Sequence, residues 1–157
     1  MKITELIAQH LLDVHEGGNW TEVDIASTLE DVSLYEATMH TKASPNTIAS
    51  LLHHISFWNR VIVQRAKGIA IQVNDANGYD HPPLQTVEDW QQLKDDNRQS
   101  ARELADAIKA FDEVKLLEPI LPNYSTAYKN LQGSVEHVHY HLGQMVILKK
   151  LIRNRAE

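Results

Sequence analysis

Leu131-Gln132-Gly133-Ser134-Val135-Glu136-His137-Val138-His139-Tyr140-His141-Leu142-Gly143-Gln144-Met145, near the C-terminal end of the chain, reads as a helix with two useful faces. At about 100° per residue, Leu131, Val135, Val138, Leu142 and Met145 share one face, while His137, His141 and Gln144, continued by Leu148 and Leu151, share another. His139 points nearly the opposite way from its two neighbours. So little of this helix is left for water that it belongs at the centre of a domain or at a subunit contact. Pro119 and Pro122 interrupt the segment before it, which sets its start between Ser125 and Asn130 and its end near Asn154.

Three further helices follow from the same reading. Residues 2–15 carry Ile3, Leu6, Ile7, Leu11 and Val14 at helical spacing, and Gly17-Gly18 suits the stop. Ser44-Pro45 supplies a capping hydroxyl and a proline at a first helical position, and Ile48, Leu51, Leu52, Ile55, Trp58, Ile62 and Ala66 then form a broad apolar face ending before Gly68. At about 1.5 Å per residue that helix is roughly 30 Å long, enough to cross a small domain. Thr86-Val87-Glu88-Asp89 resembles a capping box with Asp in place of Glu, and it opens a helix with Trp90, Leu93, Ala101, Leu104, Ile108 and Phe111 on one face and Lys94, Asp95, Arg98 and Glu103 on the wet one. Between residues 19 and 44 the periodicity is weak: a short helix fits within Leu29 to Met39, and Trp20 falls in a connecting loop. Trp20 and Trp58 are expected in the core, Trp58 with the better claim to a pocket wall as well. Four amphipathic helices and no convincing strand give an all-α four-helix bundle, and bundles build their metal sites from side chains on facing helices. With no repeat, low-complexity tract or linker, residues 1–157 are expected to form one domain.

Composition narrows the function. The chain has 43% hydrophobic and 23% charged residues, ordinary for a globular protein. Its net charge of −6, without a long basic run, argues against nucleic acid or an anionic membrane as main partner. Nothing approaches a signal peptide or transmembrane span, so a cytoplasmic protein acting on a small molecule is expected. There is no cysteine, which excludes disulfides, thiolate nucleophiles and Cys-bound zinc, and leaves His, carboxylate or water to hold any metal.

The nine histidines carry the remaining signal. His137 and His141 lie one turn apart on one face and can chelate a single ion, given a third ligand from elsewhere. Scatter alone would give roughly 0.5 such pairs in a chain of this composition, so the spacing is weak by itself. The bland alternative is a pair of hydrogen-bonded core imidazoles. His54 lies on the same flank as Leu51, Trp58 and Val61 and is the better inward candidate on its helix, with His53 as fallback. Three inward neutral imidazoles need partners for their ring nitrogens, and a shared ion meets that need. Such a site, with solvent as a further ligand, is open, and its metal can activate water or thiol or polarise a carbonyl. His10, His15, His40 and His81 are expected to be solvated or capping. Other site types fit worse: HExxH is absent, the di-iron pattern has one match (Glu136 to His139) where two are needed, and no GxSxG elbow or Gly-rich phosphate loop occurs. No general base stands out, since Tyr140 and Glu136 lie off the His137/His141 face and Gln144 cannot act as one.

Two stretches, Ser50-Leu51-Leu52-His53-His54-Ile55-Ser56-Phe57-Trp58 and Glu136-His137-Val138-His139-Tyr140-His141-Leu142-Gly143-Gln144, resemble the second-helix histidine motif and the fourth-helix HxxxHxGQ motif of the DinB-like superfamily, which includes the YfiT-like metal-dependent proteins. Gly18-Asn19-Trp20-Thr21 and Thr28-Leu29-Glu30-Asp31 look like one branch of it, and the resemblance covers nearly the whole chain. It implies an up-down-down-up bundle, often a homodimer, with His54, His137 and His141 as metal ligands, since the family ligand on the second helix precedes an aliphatic residue as His54 precedes Ile55. It implies zinc or nickel, with iron or manganese as alternatives. Gly143 would allow close helix approach, and Gln144 would support a ligand from behind. Characterised relatives include thiol transferases using low-molecular-weight thiols, which implies a metal-dependent thiol S-transferase or hydrolase. The alternative is a non-catalytic metal-binding stress-response protein.

Overall fold

The computed structural model describes residues 1–154, and the helices it shows are α1 (Ile3–Glu16), α2 (Ile25–Leu29), α3 (Leu34–Thr38), α4 (Ile48–Ala66), α5 (Val87–Ala110) and α6 (Ala127–Arg153), with one 3-10 turn, Glu113–Lys115. Among the described residues β pairing is limited to two isolated bridges, Thr41 with Ser44 and Pro119 with Thr126. The four long helices α1, α4, α5 and α6 form the bundle; each of α1 and α4 packs against both α5 and α6.

Side-chain pairs across the seams give the directions. Asn97 Nδ2 donates to Ser56 Oγ and Asn59 Nδ2 to Ser100 Oγ, so α4 and α5 run parallel. His54 meets His137 while Arg65 meets Asn130, so α6 runs against α4. The Ile3 N–H donates to Glu113 just past the end of α5 while Arg102 pairs with Glu16, so α1 runs against α5 and along α6. The order is up-down-down-up, as expected. Parallel neighbours need a long return, and residues 67–86 between α4 and α5 provide it.

Local signals account for the boundaries. Asp24, Ser33, Thr47, Thr86 and Thr126 cap their helices, each side chain accepting a hydrogen bond from a first-turn N–H, and the reciprocal box at Thr86/Asp89 is present. Gly17 ends α1 at φ 108°, a conformation that favours glycine. The start of α4 corrects the expectation from Ser44-Pro45: Ser44 closes a small turn with Thr41, Pro45 follows in a bend, and Thr47 is the cap. Two short helices occupy residues 19–44, where one was expected.

The core is continuous, with Leu11, Leu51, Leu52, Ile55, Leu104, Ile108, Leu131 and Met145 almost fully buried. The predicted apolar faces of α4, α5 and α6 supply most of it. Several expectations fail, among them Ile3 and Leu6, counted with the apolar residues of α1 but 49% and 54% exposed. Trp20 is 96% exposed, held on the outside of the loop where Thr21 and Asn19 bond to each other, while Trp90 is the buried indole, donating to the Val32 carbonyl. And α6 is wetter than its composition suggests, because Glu136, Tyr140, Gly143 and Ile147 form an exposed stripe. Gly143 therefore has open space beside it rather than a close helix neighbour. No described helix is long and apolar enough to cross a membrane.

Candidate metal centre

Where α4 and α6 cross, three imidazoles converge. His54 comes from the middle of α4, and His137 and His141 from successive turns of α6, so antiparallel packing brings residues 83 positions apart into contact. His54 Nε2 lies 3.0 Å from His137 Nε2, and His141 Nε2 lies 3.1 Å from the same atom. Donor atoms of all three fall within 4.8 Å of one another. Nitrogens bound to one ion at about 2.0–2.1 Å stand about 3.3 Å apart in a tetrahedral site and about 2.9 Å apart in an octahedral one. The observed separations lie between these values.

The outer ring nitrogens decide what the inner ones can do. His54 Nδ1 is 2.6 Å from the Asn77 carbonyl and His141 Nδ1 is 2.7 Å from Gln144 Oε1. Both oxygens can only accept, so both Nδ1 atoms carry the proton and both Nε2 atoms present bare lone pairs. His137 Nε2 has at most one proton to share between them, so the polar groups cannot all be satisfied by one another. A cation at the point of convergence satisfies them, and the donor set of neutral imidazoles backed by carbonyl oxygens is the kind that holds a divalent ion. The rings are held neutral: burial pushes His54 down to about 4 and His137 to about 3, helped in each case by neighbouring imidazoles, and burial also lowers His141 against the opposing effect of Gln144.

Much of the support comes from a turn in the long α4–α5 connection. Asn77, at φ 52°, gives its carbonyl to His54 and its Oδ1 to the Trp58 indole N–H, at 3.0 Å. Gly78 gives its carbonyl to His53 Nδ1 at 2.7 Å. Tyr79 stacks on the face of His54, with centroids 4.0 Å apart and planes 4° from parallel. Gly78 sits at φ 76° against Phe57, and a Cβ there would fall 2.5 Å from a ring carbon.

The structure thus brings together His54, His137 and His141 and leaves His53 outside the cluster, tied to the loop. His139 faces away and packs edge-on against His10, with centroids 5.6 Å apart. His15 corrects the expectation of a solvated or capping residue: it is 3% exposed, its Nδ1–H donates to the Leu11 carbonyl, and its Nε2 has no partner among the described residues. Trp58 is a pocket wall. With His54, His137, Asn77, Lys129 and Gly133 it lines a cavity of about 340 Å³ that reaches the cluster from one side. That is within the range of small-molecule sites.

The DinB superfamily profile matches residues 11–145, which include every residue of the cluster and its supporting turn. The chain belongs to the DinB superfamily. Comparison with curated proteins and with solved structures returns no match. Family membership and the three-histidine cluster together make this DinB protein one with a site suited to a divalent metal ion.

Proposed function

We propose that this DinB protein is a metal-dependent enzyme in which His54, His137 and His141 hold one divalent ion, zinc or nickel before iron or manganese, and that the site activates a thiol or water for attack on a small electrophile. The observation that carries the reading is the convergence of three Nε2 atoms, two of them fixed as lone-pair donors, at the end of a cavity large enough for a substrate. A divalent ion so held supplies Lewis acidity and lowers the pKa of a coordinated water or thiol. The chain's own residues do the rest. Asn77 and Gln144 fix the ligand tautomers, Tyr79 holds the plane of His54, and Trp58 and Ile62 keep the substrate's path partly apolar. The expected homodimer, the cytoplasmic setting and the single domain over 1–157 belong to the same proposal.

A second reading, a non-catalytic metal-binding stress-response protein, has one specific observation in its favour: among the described residues no carboxylate lines the cavity, so no side chain there is an evident general base. Turnover separates the two. Metal-loaded protein, mixed with a low-molecular-weight thiol and a panel of small electrophiles such as epoxides and activated halides, should consume thiol faster than metal-stripped protein. Equal rates with and without metal across the panel, with hydrolysis also absent, would favour the non-catalytic reading.

A further inference from the structure

The cavity beside the cluster has a charge character at odds with the rest of the molecule. The chain carries a net charge of −6, yet among the described residues the cavity wall has a lysine, Lys129, and no carboxylate. The Lys129 side chain makes no ion pair or hydrogen bond among the described residues, so its ammonium is available. Behind the wall stands Arg65. Arg60, Arg98, Arg102 and Arg153 each pair with a carboxylate, and Arg65, alone among the described arginines, does not. Its guanidinium lies over the Trp58 ring at 5.3 Å and the Tyr124 ring at 4.9 Å, and donates to Asn130 Oδ1 at 3.3 Å. Trp58 and Asn130 both line the cavity, so this positive charge is held one side chain away from it.

Lys129 and His137 are two helical turns apart on α6, about 12 Å along the axis at about 1.5 Å per residue. The groove between them is floored by Gly133, where a Cβ would meet nothing within 4 Å, and walled by Trp58 and Ile62. A chain of four to six carbons, allowing for the reach of the lysine, spans roughly that gap. Resting on the metal-site reading above, we infer that the substrate which enters this cavity is a small organic anion: a carboxylate held by Lys129, with Arg65 adding to the field, an apolar body against Trp58 and Ile62, and the reacting atom at the histidine cluster. The anion is drawn in by two cations that have no carboxylate partner among the described residues, beside a partly apolar wall, and neutral analogues of the same length lose that attraction.

The test uses the full chain loaded with cobalt(II), whose visible spectrum reports a thiolate joining the metal, and two probes of equal length, 6-mercaptohexanoate and 6-mercaptohexan-1-ol. The carboxylate probe should bind at least about fivefold more tightly at low salt, an advantage that shrinks as salt screens the exposed lysine. Lys129→Gln should reduce the preference to below about twofold and Lys129→Glu should reverse it, while Lys109→Gln, on α5 away from the cavity, should leave it as in wild type. Equal binding of the two probes to wild type, or a preference that survives Lys129→Gln, overturns the inference while leaving the metal site intact. Protein that takes up no cobalt, or whose spectrum neither thiol alters, refutes the open metal site itself and the inference with it.

Discussion

Within five residues of α6, three histidines meet two different fates, and the contrast shows what makes imidazoles a site. His137 and His141 face α4, where their Nε2 atoms meet that of His54 with at most one proton to share, and where the outer nitrogens of His54 and His141 are spoken for by Asn77 and Gln144. His139 faces α1, where it packs edge-on against His10 beside water. The residue type is the same and the helix is the same. What differs is the company each ring keeps: His54 and His141 have Nδ1–H committed to an oxygen and Nε2 aimed at His137, while half-buried His139 meets the single ring of exposed His10. His15 adds a third case, a ring as buried as the cluster but with no second imidazole near its free Nε2, which leaves it an orphan in the core.

The largest effect should come from the two faces of α6 themselves. His137→Ala should lower affinity for zinc or nickel by more than the roughly 10–100-fold expected of supporting residues, while His139→Ala should leave it within about twofold, as read by competitive chelator titration of untagged protein. Comparable losses in the two variants would erase the distinction.

Next in size is the orphan. Burial pushes His15 down to about 4 from an ordinary value of 6.5, with the Leu11 carbonyl only partly offsetting it. As pH falls, the unfolded chain therefore takes up the proton first, so the stability that depends on neutral His15 is complete above about pH 6.5 and is lost progressively toward pH 4. The amount is on the order of 3 kcal/mol. In His15→Leu, denaturant unfolding at a series of pH values should show a shallower fall across that window, with the variant gaining on wild type as pH drops. Parallel profiles would mean that His15 is not held neutral in the folded protein.

The supporting turn comes third. Gly78→Ala places a side chain at positive φ and against Phe57, which should cost about 1–3 kcal/mol of stability. Because the same turn carries the Asn77 carbonyl, metal affinity should fall about 10–100-fold at temperatures where the variant is still folded. Unchanged affinity in a destabilised variant would show that the turn supports the fold without positioning His54. The smallest effect is expected at the outer pair: His10→Ala should change stability by less than about 0.5 kcal/mol and leave metal binding alone, since it sits on exposed surface.

The sequence made the four bundle helices readable because each carries a long periodic apolar face, and in α5 and α6 the boundaries agree with the caps. The inward pair on α6 was readable for the same reason, since spacing alone puts His137 and His141 on one face. Choosing His54 over His53 rested on which flank of α4 is apolar, a contrast the sequence displays. What could not be read was anything set by contacts between distant segments. Pro45 looked like a first helical residue because its local chemistry suits one, but Ser44 pairs with Thr41 instead, Pro45 lies in the bend that follows, and the helix waits for Thr47. Trp20 was expected inside because indole usually is, but it lies on the loop surface, and Trp90 is the indole buried beneath the Val32 carbonyl. His15 looked like a solvated end-of-helix residue, and its burial depends on α2 folding back over the end of α1. Asn77-Gly78-Tyr79 announced a turn and no more, because its partners lie about twenty residues earlier on α4.

The central claim is that His54, His137 and His141 share one metal ion through their ring nitrogens and leave room for another ligand. X-ray absorption at the metal edge, on untagged protein reconstituted with zinc or nickel, measures this most directly. The account predicts one ion per chain with three imidazole nitrogens at about 2.0–2.1 Å and at least one exchangeable light-atom ligand. A chain that binds no ion, or one bound by fewer than three imidazoles, would contradict it.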